Sequence, residues 1–490
     1  MDVQDAATGG AFAASVLGSV FAVSDFAARE LLLFAGIWFL IGALDDLALD
    51  MTWLLQRLRA HLRKHVHQPD PPAAPPLNYA VFVPAWDEAD VIGDMVAHCL
   101  QRWPGDHYRI YVGVYANDPA TAAAARAKAG EDSRLRIVSL DVAGPSSKAD
   151  CLNRLWQALR RDGAAQGFVA DAIVLHDAED LVHPAELDLY RRWLATHAFV
   201  QIPVRPLIDP ASRLISGHYA DEFAEAHARK MPVRGALGVA MPCAGVGCAF
   251  RRATLEQLAA ESGSDAPFAT DSLTEDYELG IRIHERGGRG AFVREHDASG
   301  DLVATRAYFP TDLGASVRQK TRWMIGIALT GWDRTGWGGS PGDIWMRARD
   351  RRSALAAVVL VAGYLGLALW LATGIGVIAG LYQPAPVDPA ARALLVLTGS
   401  TLVWRLLVRA VCTGWEHGRA EALWSLPRAL VSNIIAVMAA RRALMAYAAS
   451  LRGAGLAWDK TRHRIPAAPA PAPVPVAIVP VTSAMAGGHG

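Results

Sequence analysis

The chain has 490 residues, 52% of them hydrophobic and 20% charged, with Lys+Arg and Asp+Glu balanced at 48 each. That length exceeds one ordinary domain, and the apolar excess is gathered into discrete stretches, which excludes a single soluble globule. A formal net charge of zero removes any overall electrostatic case for nucleic-acid binding, and five cysteines without a CxxC pair read as reduced buried thiols with no zinc site.

The first clear membrane stretch is 31–44, followed by Asp45, Asp46 and Asp50 and then by Arg57, Arg59, Arg63 and Lys64. Basic residues collect on the cytosolic side of a span, so the C-terminal end of this helix is expected inside and the N-terminus outside. The Ala/Gly-rich stretch 9–23 is a further candidate span; it lacks a basic flank, which argues against a secretory signal peptide. Residues 1–68 thus read as a membrane anchor and interfacial helix. The proline-rich 69–77 cannot continue a helix and reads as a linker.

From residue 78 the pattern changes. Apolar runs at 79–84, 109–115, 135–140 and 172–176 alternate with helical patterns at 90–102, 119–130 and 149–161. Such a series implies an α/β domain with a mainly parallel sheet covered on both faces, here assigned to 78–340. Ligands bind beyond the carboxyl ends of such strands, so the loops after Pro84, Tyr115 and His176 are expected to converge.

Four clusters along this domain carry chemistry. Pro84-Ala85-Trp86-Asp87-Glu88 follows the first strand; a carboxylate here suits a base or ribose, although a helix N-cap would look the same. His176-Asp177-Ala178-Glu179-Asp180 follows the short strand at 172–176. Carboxylates fixed at a strand end can hold a hard divalent cation that bridges two phosphates, and His176 and His183 beside them read as filler or supporting groups. Thr274-Glu275-Asp276 opens a helix, either as a general base without an adjacent arginine or as a capping box. Gln319-Lys320-Thr321-Arg322-Trp323 offers a guanidinium fork for a diphosphate and an apolar plate for a sugar. Gly245-Val246-Gly247 reads as a close backbone approach to an acceptor or as a tight turn.

Beyond Trp337 come the basic run Arg347, Arg349, Arg351, Arg352 and an apolar segment at 354–381 that crosses outward. The segment 390–411 returns, with Arg405 and Arg409 placed to snorkel to the interface. Only about 14 residues separate Pro427 from Arg441, too few to cross a bilayer, so this piece is expected to lie in the interface. Three spans result, with helices over 341–465 and an Ala/Pro tail at 466–490 read as disordered.

The order Asp, DxD-like, TED and QxxRW followed by membrane helices resembles the processive family 2 glycosyltransferases, the group of cellulose and hyaluronan synthases, over roughly 78–325. The pieces Leu44-Asp45-Asp46, Pro84-Ala85-Trp86-Asp87-Glu88, Asp177-Ala178-Glu179-Asp180 and Trp458-Asp459-Lys460-Thr461-Arg462-His463 look like the phage-adsorption protein B type of inner-membrane glycosyltransferase. The resemblance implies a GT-A fold, a UDP-sugar donor, a glycan or lipid-linked acceptor, and Mg²⁺ or Mn²⁺. It puts Asp87 on the uridine, Asn117 or Asp118 at the next nucleotide position and Lys148 near the diphosphate. Asp177 and Glu179 would hold the metal, with Asp180 competing for the second place. Asp276 would be the base, and Gln319, Arg322 and Trp323 would clamp donor and acceptor. The enzyme is then expected in a bacterial inner membrane with its catalytic domain cytosolic, feeding a growing polysaccharide. A single addition to a lipid phosphate, or an idle scaffold for envelope assembly or phage receptor display, are the alternatives. An outer-envelope export partner or a second copy would complete a polymer path.

Overall fold

The computed structural model describes residues 3–63, 75–263 and 265–453. Most of the linker, the motif at 458–463 and the Ala/Pro tail lie outside the described residues. The first helix, α1 (Val3–Arg63), is 61 residues long and continuous, so the stretches 9–23 and 31–44 belong to one element.

The α/β domain begins as the apolar runs foretell. Strand β1 (Tyr79–Pro84), helix α2 (Ile92–Arg102), β2 (Tyr108–Tyr115), α3 (Pro119–Ala129), β3 (Leu135–Leu140), α4 (Lys148–Gln166) and β4 (Ala172–Leu175) follow one another. Strands β1 to β4 pair in parallel in the order β3-β2-β1-β4. Alternation sorts β1 between two cores. Tyr79, Val81 and Val83 pack with Met95, Val96 and Ala125 on one face, while Ala80 and Phe82 pack with Leu152, Leu155 and Trp156 on the other. A sheet covered on both faces needs apolar residues at every position, which is why these strands read as unbroken runs.

The remainder was not legible as strands. Helix α5 (Glu186–Leu194) leads to β5 (Phe199–Gln201) and β6 (Val204–Leu207); α6 (Ile215–Glu225) and α7 (Met231–Leu237) are joined by a π-helical turn. Strand β7 (Cys248–Arg251) runs antiparallel to both β4 and β5, and after α8 (Arg252–Glu261) and α9 (Glu275–Glu285), β8 (Gly290–Phe292) pairs with β5. The sheet is therefore mixed, seven strands in the order β3-β2-β1-β4-β7-β5-β8. A second small sheet joins β6 to β9 (Thr305–Tyr308) in parallel.

Helices α10 (Leu313–Trp323), α11 (Thr330–Thr335) and α12 (Pro341–Arg351) lead to the apolar α13 (Ser353–Ile378), α14 (Pro389–His417) and α15 (Arg419–Ser450). Among the described residues four helices are long and apolar enough to cross a membrane, α1, α13, α14 and α15, where three spans were expected. The fourth comes from a further change. The piece at 427–441 is part of a 32-residue helix that runs through Pro427; its Arg428 is buried against Asp221 at 3.0 Å and also paired with Glu421. Arg405 pairs with Glu225 and, at 3.2 Å, with Asp46, and Arg409 lies 3.6 Å from Glu225. Partners from distant elements satisfy charges that sequence alone sees as obstacles to burial.

Candidate active site

The loops after β1, β2 and β4 converge as expected. One cleft is walled by Trp86 and Glu88 after β1, Tyr115 at the end of β2, Lys148 at the start of α4 and the acidic loop after β4. Glu275 and Asp276 of α9 and Gln319, Arg322 and Trp323 of α10 close it from the other side.

The acidic loop is braced from beneath. His176 is fully buried and donates from Nδ1 to Asp180 Oδ2 and from Nε2 to Glu186 Oε1, both at 2.8 Å. Burial by itself would lower its pKa, but Glu186 and Asp180 outweigh this and push it up to about 10, so the ring is an imidazolium. Asp180 Oδ2 also accepts the backbone N–H of Asp177 at 3.0 Å. Asp180 is thus engaged by the fold, and it lines the cleft together with Asp177 and Glu179. His176, read from sequence as filler or a supporting group, takes the supporting role as the strut of the loop.

Lys148 enters from α4, whose N-cap Ser147 accepts the N–H of Asp150 at 3.2 Å. Its ammonium donates to Asp177 Oδ1 at 2.5 Å and to the Gly245 carbonyl at 3.3 Å. Burial opposes its charge, but Asp177, Glu275 and Asp276 hold its pKa well above the ordinary lysine value. Gly245 has φ +72°, and a Cβ there would sit 2.6 Å from Asp276 Oδ2. The glycine loop thus lets backbone approach Asp276 itself, and Cys243 and Cys248 flank it with Sγ atoms 3.1 Å apart. All five cysteines are free and buried.

At the head of α9, Asp276 Oδ1 accepts the N–H of Tyr277 at 2.8 Å. Burial raises its pKa, Lys148 opposes that, and the nearby Asp177 adds to it. Glu275 is pushed up to about 7, first by burial and then by Asp276. The capping box does not form: Thr274 is at the N-cap without a side-chain cap bond, and Ser272 Oγ accepts the Thr274 N–H instead, at 3.2 Å.

Two expected nucleotide positions carry hydrogen bonds within the fold. Asp118 caps α3 by accepting the Thr121 N–H at 3.3 Å and pins the Asp87 N–H at 2.6 Å. Asn117 exchanges two hydrogen bonds with Gly144, at 3.1 and 2.7 Å. Asp118, buried and so engaged, shapes the loop, while Asp87 is exposed with φ +53°, beside a wall formed by its neighbours Trp86 and Glu88. The aromatic pair Trp86 and Tyr115, 5.2 Å apart at 80°, supplies a flat apolar corner at this end.

The opposite end is aromatic too, and sequence reasoning missed most of it. Phe223 of α6 and Phe309 stand 5.1 Å apart, with Trp323 6.3 Å from Phe223. Phe309 follows β9 directly, ten residues before Gln319, and that closeness was the available signal. Gln319 is buried, and its Oε1 has no hydrogen-bond partner among the described residues.

Residues 75–326 match the family model described as glycosyltransferase like family 2. Over 485 aligned residues the chain is 31% identical to bacteriophage adsorption protein B of Escherichia coli strain K12, covering 91% of this chain and 63% of that protein. The figures are the same for bacteriophage N4 adsorption protein B of Escherichia coli O157:H7. The chain therefore spans less than two thirds of these relatives' length. Among solved structures, a mannosyltransferase from Pyrobaculum calidifontis in complex with GDP-Man and Mn²⁺ is 21% identical, with TM-score 0.47, covering 82% of this chain and 99% of that one. Glucosyl-3-phosphoglycerate synthase from Mycobacterium tuberculosis, with Mn²⁺, UDP and glucosyl-3-phosphoglycerate, is 20% identical with TM-score 0.34, covering 54% of this chain and 82% of that one.

Proposed function

The chain belongs to the glycosyltransferase like family 2, and from that premise we propose that it transfers a sugar from a UDP-sugar to a growing polysaccharide, with inversion, at the cytosolic face of an inner membrane. The observation that carries this reading is the meeting of Lys148, Asp177, Glu179, Asp276, Gln319, Arg322 and Trp323 on one cleft between two aromatic ends.

The donor set fits a hard divalent cation. Asp177 and Glu179 offer carboxylate oxygen one residue apart, and no cluster of three metal-ligating side chains occurs among the described residues. Mg²⁺ and Mn²⁺ favour that arrangement, since such ions bind through one or two carboxylates and complete their shell with diphosphate and water. When bound, the ion offsets charge on the leaving diphosphate.

The chain's own residues supply the rest. One ring of the Trp86–Tyr115 pair stacks on the base while the other meets it edge-on, the two planes being 80° apart, with Asp87 turned to the uridine. Lys148 and Arg322 are fixed cations for the departing diphosphate. The aromatic end seats the acceptor, and Gln319 Oε1 accepts from a sugar hydroxyl. Asp276, its basicity raised by burial, takes the proton from the attacking hydroxyl. Holding both sugars in one cleft supplies proximity and excludes water. The test is a panel of nucleotide-sugars given to the purified full chain with Mg²⁺ or Mn²⁺, following nucleoside diphosphate release and labelled sugar in high-mass product. Release from one UDP-sugar that EDTA abolishes supports the proposal; no release from any donor defeats it.

A further inference from the structure

Lys320 sits three residues before Trp323 on α10 and is not among the residues that wall the cleft. Its ammonium lies 4.9 Å from the centroid of the Trp323 ring and 4.9 Å from that of Tyr219. A cation over an aromatic face is held by the ring quadrupole, but a lysine on its flexible stem defines a position only when its head is anchored. Glu222 of α6 is that anchor, ion-paired with Lys320. Burial would raise the Glu222 carboxyl, but the Lys320 ammonium outweighs it and holds it at about 2, so the pair stays ionised. Glu222 Oε1 in turn accepts a hydrogen bond from Ser432 Oγ of α15 at 2.9 Å. The neighbouring turn repeats the link, with Asp221 paired to Arg428 of α15. The Trp323 ring meets Tyr219 edge-on at 87° and Phe223 at 58°, contacts that leave Lys320 as the charged group above its face.

We propose that Lys320 is a positioning residue for the acceptor: tied to Glu222 and through it to Ser432 of α15, it fixes the Trp323 ring as the plate on which the acceptor sugar is seated. The inference rests on the sugar-transfer reading of the cleft. It places the registry of the acceptor under the control of α15, so that the last apolar helix and the reaction share one chain of contacts. Donor binding draws on Lys148 across the cleft and on Arg322 of the same helix, both in the cleft wall, and does not pass through Lys320, which is not.

Two readouts on the full-length protein in detergent test this. The first is ¹⁹F NMR of protein labelled with 5-fluorotryptophan, the Trp323 resonance being assigned by its loss in Trp323→Phe. Lys320→Met moves or broadens that resonance and leaves the others in place, Glu222→Gln does the same, and Lys320→Arg restores it. The second compares labelled sugar passed to the acceptor present in membranes with sugar released to water. Lys320→Met lowers the ratio of transfer to hydrolysis by about tenfold, between the sizes expected of an exposed and of a desolvated cation–π contact, with hydrolysis unchanged. An unmoved Trp323 resonance in both variants, or equal loss of transfer and hydrolysis, overturns the proposal. A wild-type protein that consumes no nucleotide-sugar defeats the function proposed above, while the resonance still decides whether Lys320 sets the ring.

Discussion

Glu179 and Asp180 share a loop but not an environment, and their substitution should separate binding from stability. Asp180→Ala leaves the His176 imidazolium with one partner in a fully buried site, so it should cost about 3 kcal/mol, read as a lower melting temperature. Glu179→Ala should melt near wild type yet lose most of the metal-dependent gain in UDP affinity; the reverse pattern would make Asp180 the ligand. The buried histidines also fix a pH optimum for stability. His218 and His227 are held down by burial to about 4 and about 3. The unfolded chain therefore takes up protons first, and stability falls as pH drops below about 6.5, by up to about 1.4 kcal/mol per pH unit for each. His176 has the opposite sign: its pKa of about 10 means its contribution is complete below about 6.5 and lost as pH rises towards 10. Melting temperature should peak near neutrality, and a flat profile from pH 5 to 9 would contradict both assignments. The charged cluster residues were legible because acids and a QxxRW run stand out in any sequence. The roles of Asp118 and Asn117 were not, because a cap and a nucleotide ligand demand the same residue types.

At the scale of elements, what could be read followed from local pattern. Strands β1 to β4 are unbroken apolar runs bounded by turns, and their predicted limits agree with the structure to within a residue or so. Strands β5, β7 and β8 have three or four residues each and owe their existence to pairing with one another, which no window on the sequence can register. Helix α15 was cut short for the same reason. Pro427, Arg428 and Arg441 interrupt its apolar run, yet Asp221, far away in sequence, neutralises Arg428. A similar ionic seam holds α1 to the helices after the catalytic domain: Asp46 pairs with Arg349 at 2.7 Å, Arg352 at 2.8 Å and Arg405 at 3.2 Å. Asp46→Ala would leave three guanidinium groups short of a partner. It should destabilise the protein by about 2–4 kcal/mol while leaving affinity for UDP unchanged, because α1 contributes nothing to the cleft wall. Melting and UDP titration of the same sample check both halves, and a loss of UDP affinity would tie the seam to the site.

For the whole molecule, the proposed cytosolic placement of the cleft is the condition on which the proposed use of nucleotide-sugars depends. The basic run on α12 and at the start of α13 should face the cytosol. A reporter active only outside should stay silent when fused after Arg352 and become active when fused near Val387, in the loop between α13 and α14. The opposite pattern would overturn the orientation. Four candidate membrane helices are few to line a path for a polar chain, so a processive product implies walls supplied by a second copy or a partner protein. The chemistry proposed for the cleft comes before either question and rests on Asp276 as the proposed base. The most direct measurement is the rate of UDP release by purified Asp276→Asn beside wild type, with the donor and metal that wild type uses. The Asn side chain keeps the shape but accepts no proton, so release should fall by about 10²–10⁴ while UDP-sugar still binds. Turnover within a few-fold of wild type would contradict the assignment of this cleft as the place where the acceptor hydroxyl is activated.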